Sequence, residues 1–139
     1  MGSEMCIRDR NRTVRGRCEC EKVEFTVESP REAITVCHCS QCRRISGRLW
    51  AATHAPYNGV KFLSDEGLEW YASSDFAKRG FCKCCGSSLF YRTNNKDSIA
   101  IASGCFYEPT GFQVGKHIFV ADKGGYYEIM DGKPQIQKY

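Results

Sequence analysis

Long apolar runs are missing from this chain, and none approaches the roughly 18 residues that a membrane helix needs. The first residues, MGSEMCIRDRNRTVRGR, carry basic side chains but no apolar segment of the kind a secretory signal requires. Nothing repeats at a period of about 20–50 residues, which argues against a solenoid or propeller. Charge of one sign is also modest: 20 Lys and Arg against 16 Asp and Glu give a net charge of +4. Part of that excess lies in the head, at Arg8, Arg10, Arg12, Arg15 and Arg17. No basic stripe with interleaved aromatics follows it, so a nucleic-acid partner is not expected.

What remains is an ordinary globular composition, with 42% hydrophobic and 26% charged residues over 139 positions. No internal composition shift marks a second domain. Residues 1–12 are expected to be a tag or leader outside the fold, and residues 13–139 a single domain.

Cysteine stands apart, with ten residues. An exported chain would use them as disulfides; a chain in a reducing compartment would use them for metal or catalysis. Cys18 and Cys20, like Cys37 and Cys39, are too close in sequence to bridge each other comfortably, yet their spacing suits one ion. With no export signal, the expectation is a cytoplasmic protein with thiolate–metal bonds.

The rest of the pattern is β. In KVEFTVE, Val23, Phe25 and Val27 alternate with polar residues and share one face. AITVC, RLWAATH, VKFLS, LEWYAS, KRGFC, LFYRT, SIAIAS and HIFVAD are further β-branched or aromatic runs. Turn signals such as Asn58-Gly59, Asn94-Asn95 and Gly124-Gly125 separate them. Roughly nine or ten short strands at this spacing define a mainly-β domain. Only SQCRRISG reads as helical, and Gly47 ends it early.

The cysteines fall into three clusters: GRCEC, CHCSQC and FCKCCG. In extended chain, residues two apart point to the same face, so Cys18 and Cys20 can offer two thiolates to one ion. Cys82 and Cys85, with Gly86 after them, form a knuckle turn that supplies two more. These four thiols make a closed, structural site. Cys37, Cys39 and Cys42 are only three. His38 alternates to the opposite face, leaving Cys84 or Cys105 as possible fourth thiols. If neither joins, one coordination position stays open, as in catalytic zinc sites.

These motifs together (GRCEC with V-x-F, CHCSQCRRISG, RGFCKCCGSSLFYR, HIFVADK and YYEIMDG) resemble the glutathione-dependent formaldehyde-activating enzyme family. The wider group includes centromere protein V relatives and shares the Mss4-like fold. The resemblance implies a mainly-β, Mss4-like domain of several short coiled antiparallel sheets, stapled by two zinc ions. Carried over by motif, Cys18, Cys20, Cys82 and Cys85 would hold the structural ion, and Cys37, Cys39 and Cys42 the catalytic one. The implied activity is that of a carbon–sulfur lyase, joining glutathione or a similar thiol to formaldehyde or another small aldehyde. A non-catalytic interaction module of the same fold is the alternative.

Two places depart from the family pattern: GCFYEP at residues 104–109, and Tyr126 or Tyr127 where a Trp is common. Arg43 and Arg44 follow Cys42 directly and are the candidates to clamp a substrate carboxylate. His38 and His54 are possible proton shuttles, and His117 is expected to be packed and hydrogen-bonded. Trp50 and Phe106 are possible pocket walls.

Overall fold

The computed structural model describes residues 12–139. Apart from Arg12, the expected leader lies outside the described residues.

Ten strands follow one another: β1 (Thr13–Arg17), β2 (Glu24–Glu28), β3 (Ala33–Cys37), β4 (Trp50–Pro56), β5 (Val60–Ser64), β6 (Leu68–Ala72), β7 (Ala77–Cys82), β8 (Ser88–Thr93), β9 (Ser98–Ala102) and β10 (Gln113–Ile118). One short helix, α1 (Ser40–Ser46), interrupts them after β3. The strands form two sheets, one of order β1-β2-β5 and one of order β10-β3-β4-β9-β8-β7-β6. The mainly-β expectation is met, with strands close to the runs named above.

The exceptions lie at β10. The run HIFVAD reads as a strand, but the strand ends at Ile118, and Val120–Asp122 is a 3-10 turn. The strand instead starts at Gln113 and runs parallel to β3, whereas the other pairings are antiparallel. Gly115 and Lys116 hide this segment from a propensity argument. Its place is set by pairing with β3, not by local preference.

Strand alternation divides the large sheet into two chemistries. One face carries Ala55, Ile99, Ile101 and Phe90, which pack with Val23 just before β2 and with Phe25 and Val27 of β2. Phe25 meets Phe90 at a centroid distance of 5.0 Å. Burying side chains of this size contributes about 1.5–3 kcal/mol each, and this is the main core. The other face carries Trp50, Ala52 and Ala100, with Cys42 of α1 packed on them. Small residues there leave room for a cavity instead of a second sheet.

Candidate functional site

The closed thiol group forms where two turns meet. Cys18 starts a tight turn, with its N–H donating to the Val23 carbonyl and its Sγ accepting from the Val23 N–H. Cys82 ends β7, and Gly86, at φ 81°, adopts a left-handed conformation that suits glycine. Its N–H returns to the Cys82 carbonyl at 2.7 Å. The sulfurs of Cys18, Cys20, Cys82 and Cys85 all lie within 4.8 Å of one another. Cys18–Cys20 and Cys20–Cys82 are separated by 3.7 and 3.6 Å. Four sulfurs about 2.3 Å from a tetrahedral centre would sit about 3.8 Å apart. The group is therefore dimensioned for one metal ion.

The three-thiol group is built by the end of β3 and the start of α1. Cys39 caps the helix, its Sγ accepting from the Cys42 N–H at 3.3 Å. The cap turns the helix so that Cys42 faces back toward the strand. Cys37, Cys39 and Cys42 then bring their sulfurs within 4.8 Å of one another. No fourth Cys, His, Asp or Glu joins them among the described residues. Cys84 is exposed on the knuckle. Cys105 packs against the main core, where burial pushes its thiol up to about 12.

A cavity of about 490 Å³ opens beside these thiols. Trp50, Ala52 and Ala100 floor it, Phe76 and Phe119 stand among its walls, and Asp122 also lines it. Phe119 is held at φ 55°, a left-handed conformation uncommon for a bulky residue.

The guanidinium in this cavity is Arg79, a residue the sequence reading passed over. Neither Arg43 nor Arg44 lines it. Arg79 arrives by register: His54 pairs with Ala100, Ala100 with Tyr91, and Tyr91 with Arg79, across β4, β9, β8 and β7. It lies over the Tyr91 ring at 4.9 Å and the Trp50 ring at 5.5 Å. Its Nε donates to Gln41 Oε1 at 3.0 Å, and its Nη2 to Cys42 Sγ at 3.3 Å. Its Nη1 is buried and has no hydrogen-bond partner.

These contacts polarise the thiols. A hydrogen bond from Cys37 draws Cys42 down to about 6; burial opposes it, and Arg79 assists. The same bond pushes Cys37 upward. The neighbouring Cys37 thiol, the Arg79 guanidinium and Cys39 together favour thiolate at Cys42.

Behind the thiols runs a buried polar chain. Tyr127 donates its hydroxyl to His38 Nδ1 at 2.5 Å, and His38 Nε2 lies 2.8 Å from His117 Nδ1. His117 Nε2 meets Asp131 Oδ2 at 2.8 Å. The order of donors follows from the ends. An ionised carboxylate only accepts, so His117 donates to it, His38 donates to His117, and Tyr127 donates to His38. Burial, the largest influence, holds His38 down to about 4, so it stays neutral. His38 thus faces away from the thiols, and His117 is packed and hydrogen-bonded, both as expected. This chain ties the Cys37–Cys39 turn to β10 and the C-terminal segment. Replacing His117 with Phe strands the buried His38 N–H. It should cost about 1–3 kcal/mol, read as a lower urea midpoint; an unchanged midpoint would remove the chain's structural role.

The remaining predictions separate. Trp50 walls the cavity, and His54 lines it. Phe106 lines a different cavity, with Arg17, Cys18, Gly104 and Tyr107. The GCFYEP departure therefore lies beside the four-thiol group and not beside the three thiols. Tyr127, one of the two tyrosines standing for the usual Trp, packs on His38 with ring centroids 5.7 Å apart.

A mainly-β domain with two clustered thiol groups able to hold metal, one of them opening into a cavity, is the class these features define. The chain belongs to the glutathione-dependent formaldehyde-activating enzyme family, whose pattern it matches over residues 13–122. It is similar to an uncharacterized lyase of Schizosaccharomyces pombe, 27% identical over 121 residues, covering 82% of this chain and 83% of that one. Its fold is similar to the crystal structure of a Rhodobacter sphaeroides protein, with a TM-score of 0.52 and 24% identity, covering 88% of this chain and 98% of the other. No described helix is long and apolar enough to cross a membrane.

Proposed function

We propose that residues 13–139 form a domain holding two zinc ions and acting as a carbon–sulfur lyase. Its substrates would be glutathione or a similar thiol, and formaldehyde or another small aldehyde. Cys18, Cys20, Cys82 and Cys85 hold the structural ion; Cys37, Cys39 and Cys42 hold the catalytic one. Thiolate-rich donor sets select soft or borderline ions such as zinc. The observation that carries the reading is the three-thiol group beside a cavity, with Arg79 on its edge and Nη1 unpartnered.

Zinc in such a site would lower the pKa of an incoming thiol and keep its sulfur nucleophilic. The protein's residues supply the rest. Arg79 offsets the excess negative charge of three thiolates. When the substrate sulfur attacks the aldehyde carbon, the carbon–sulfur bond forms and the carbonyl π pair moves to oxygen. Arg79 Nη1 donates to that oxygen as its charge grows, and water then delivers the proton. The apolar floor of Trp50, Ala52 and Ala100 strengthens this interaction by excluding solvent. Arg43 and Arg44, on α1 but outside the cavity lining, are left as candidates for a carboxylate that projects beyond it.

All nine described cysteines are free, which suits a reducing compartment such as the cytoplasm.

The test is the exchange rate between glutathione, formaldehyde and their adduct, measured by NMR with the zinc-loaded protein against the unaided reaction. Acceleration is expected. Arg79→Met should reduce that acceleration by roughly 100-fold, the size of losing one oxyanion donor. No acceleration by the wild-type protein would sink the reading.

A further inference from the structure

The cavity beside the three thiols does not end at His54. A second cavity, of about 720 Å³, shares Thr35, His54 and Ile118 with it. The two are neighbouring parts of one groove along β3, β4 and β10. The register sets their distance. Ile118 pairs with Cys37, and Lys116 pairs with Thr35. Lys116 therefore lies one strand across and two residues along from Cys37, about 8 Å away.

The second cavity is cationic. Arg31 and Lys116 line it, with Asp97 as its acidic residue. Among the described residues, neither cation forms an ion pair. Lys116 is held only by an aromatic partner, donating to the Tyr139 hydroxyl at 2.6 Å and lying 4.4 Å from that ring's centroid. Both positive charges reach the junction: after burial, Arg31 and Lys116 are what lower the His54 imidazole below its ordinary range.

We infer that the Arg31 and Lys116 cavity is the subsite for a carboxylate carried by the thiol substrate, whose sulfur lies at the three-thiol group. This rests on the open-site reading above. Two unpaired cations at the far end of a groove add attraction only to a ligand long enough to span it. A charge-assisted contact there is worth more than a neutral one. Asp97 repels a carboxylate and offsets part of the attraction of the two cations.

The experiment uses the chain loaded with cobalt, whose absorption reports sulfur joining the ion without any turnover. Glutathione, glutathione diethyl ester and 2-mercaptoethanol are titrated into wild type and into the Arg31→Ala/Lys116→Ala variant. Glutathione should saturate the wild type at a lower concentration than its ester. In the variant its midpoint should rise roughly tenfold or more, the loss of one charge-assisted hydrogen bond. The 2-mercaptoethanol midpoint should not move. Equal midpoints for glutathione and its ester in the wild type would overturn the subsite, and that comparison needs no variant to fold. An unchanged glutathione midpoint in the variant would also overturn it. If no thiol alters the cobalt spectrum, the open-site reading itself fails, and the subsite with it.

Discussion

A Cys82→Ser chain should not fold at ordinary temperature. Cys82 is fully buried, belongs to the main core, and shares its four-sulfur group with two residues more than 60 positions earlier. The group joins the turn between β1 and β2 to the end of β7. Its surroundings have no slack: a methyl group on Gly67 would lie 2.7 Å from the Cys82 sulfur. Structural zinc in small domains supplies about 10–16 kcal/mol of apparent binding energy. Whole domains are stable by only about 5–15 kcal/mol. Weakening the site therefore removes an amount comparable to the entire stability. The expected result is loss of cooperative thermal unfolding and of the β signature in circular dichroism. A cooperative melt within a few degrees of wild type would show that the four thiols are not a structural staple.

Cys42→Ser should behave oppositely, with a preserved fold and an abolished activity. Cys42 packs in the smaller cluster, against Trp50, Ala52 and Ala100. Exchanging its sulfur for a hydroxyl there costs about 1–3 kcal/mol, which a folded domain survives. The chemistry does not survive it. The three-thiol group loses one ligand of three, and Arg79 loses the sulfur that its Nη2 contacts. The second ion should dissociate and the acceleration of adduct exchange should vanish. The contrast between Cys82→Ser and Cys42→Ser separates the roles of two chemically similar groups.

The thiol groups were legible because their geometry is local. A Cys-x-Cys in extended chain and a Cys-x-x-Cys in a tight turn fix sulfur positions within a few residues. Joining Cys18 and Cys20 to Cys82 and Cys85 needed one long-range step, and the count of four thiols supplied it. Arg79 was not legible in the same way. It reaches Cys42 only through the register of four strands, from His54 to Ala100 to Tyr91 to Arg79. One signal was present: Arg79 shares strand parity with Ala77 and Phe81, placing a charge among apolar neighbours. Arg43 and Arg44 drew attention instead because they are adjacent in sequence to a thiol. The chain from Tyr127 to Asp131 was hidden for a related reason. Its members His38, His117 and Asp131 come together only once β10 lies parallel to β3, a pairing that local propensity does not express.

The central claim is that the two thiol groups are unequal, one closed and structural, the other open and catalytic. The most direct measurement takes a single preparation of Cys42→Ser and determines zinc per chain, thermal melting and the rate of glutathione–formaldehyde adduct exchange. The account predicts one zinc ion, a cooperative melt and exchange at the unaided rate. Two zinc ions per chain, or acceleration equal to wild type, would contradict it.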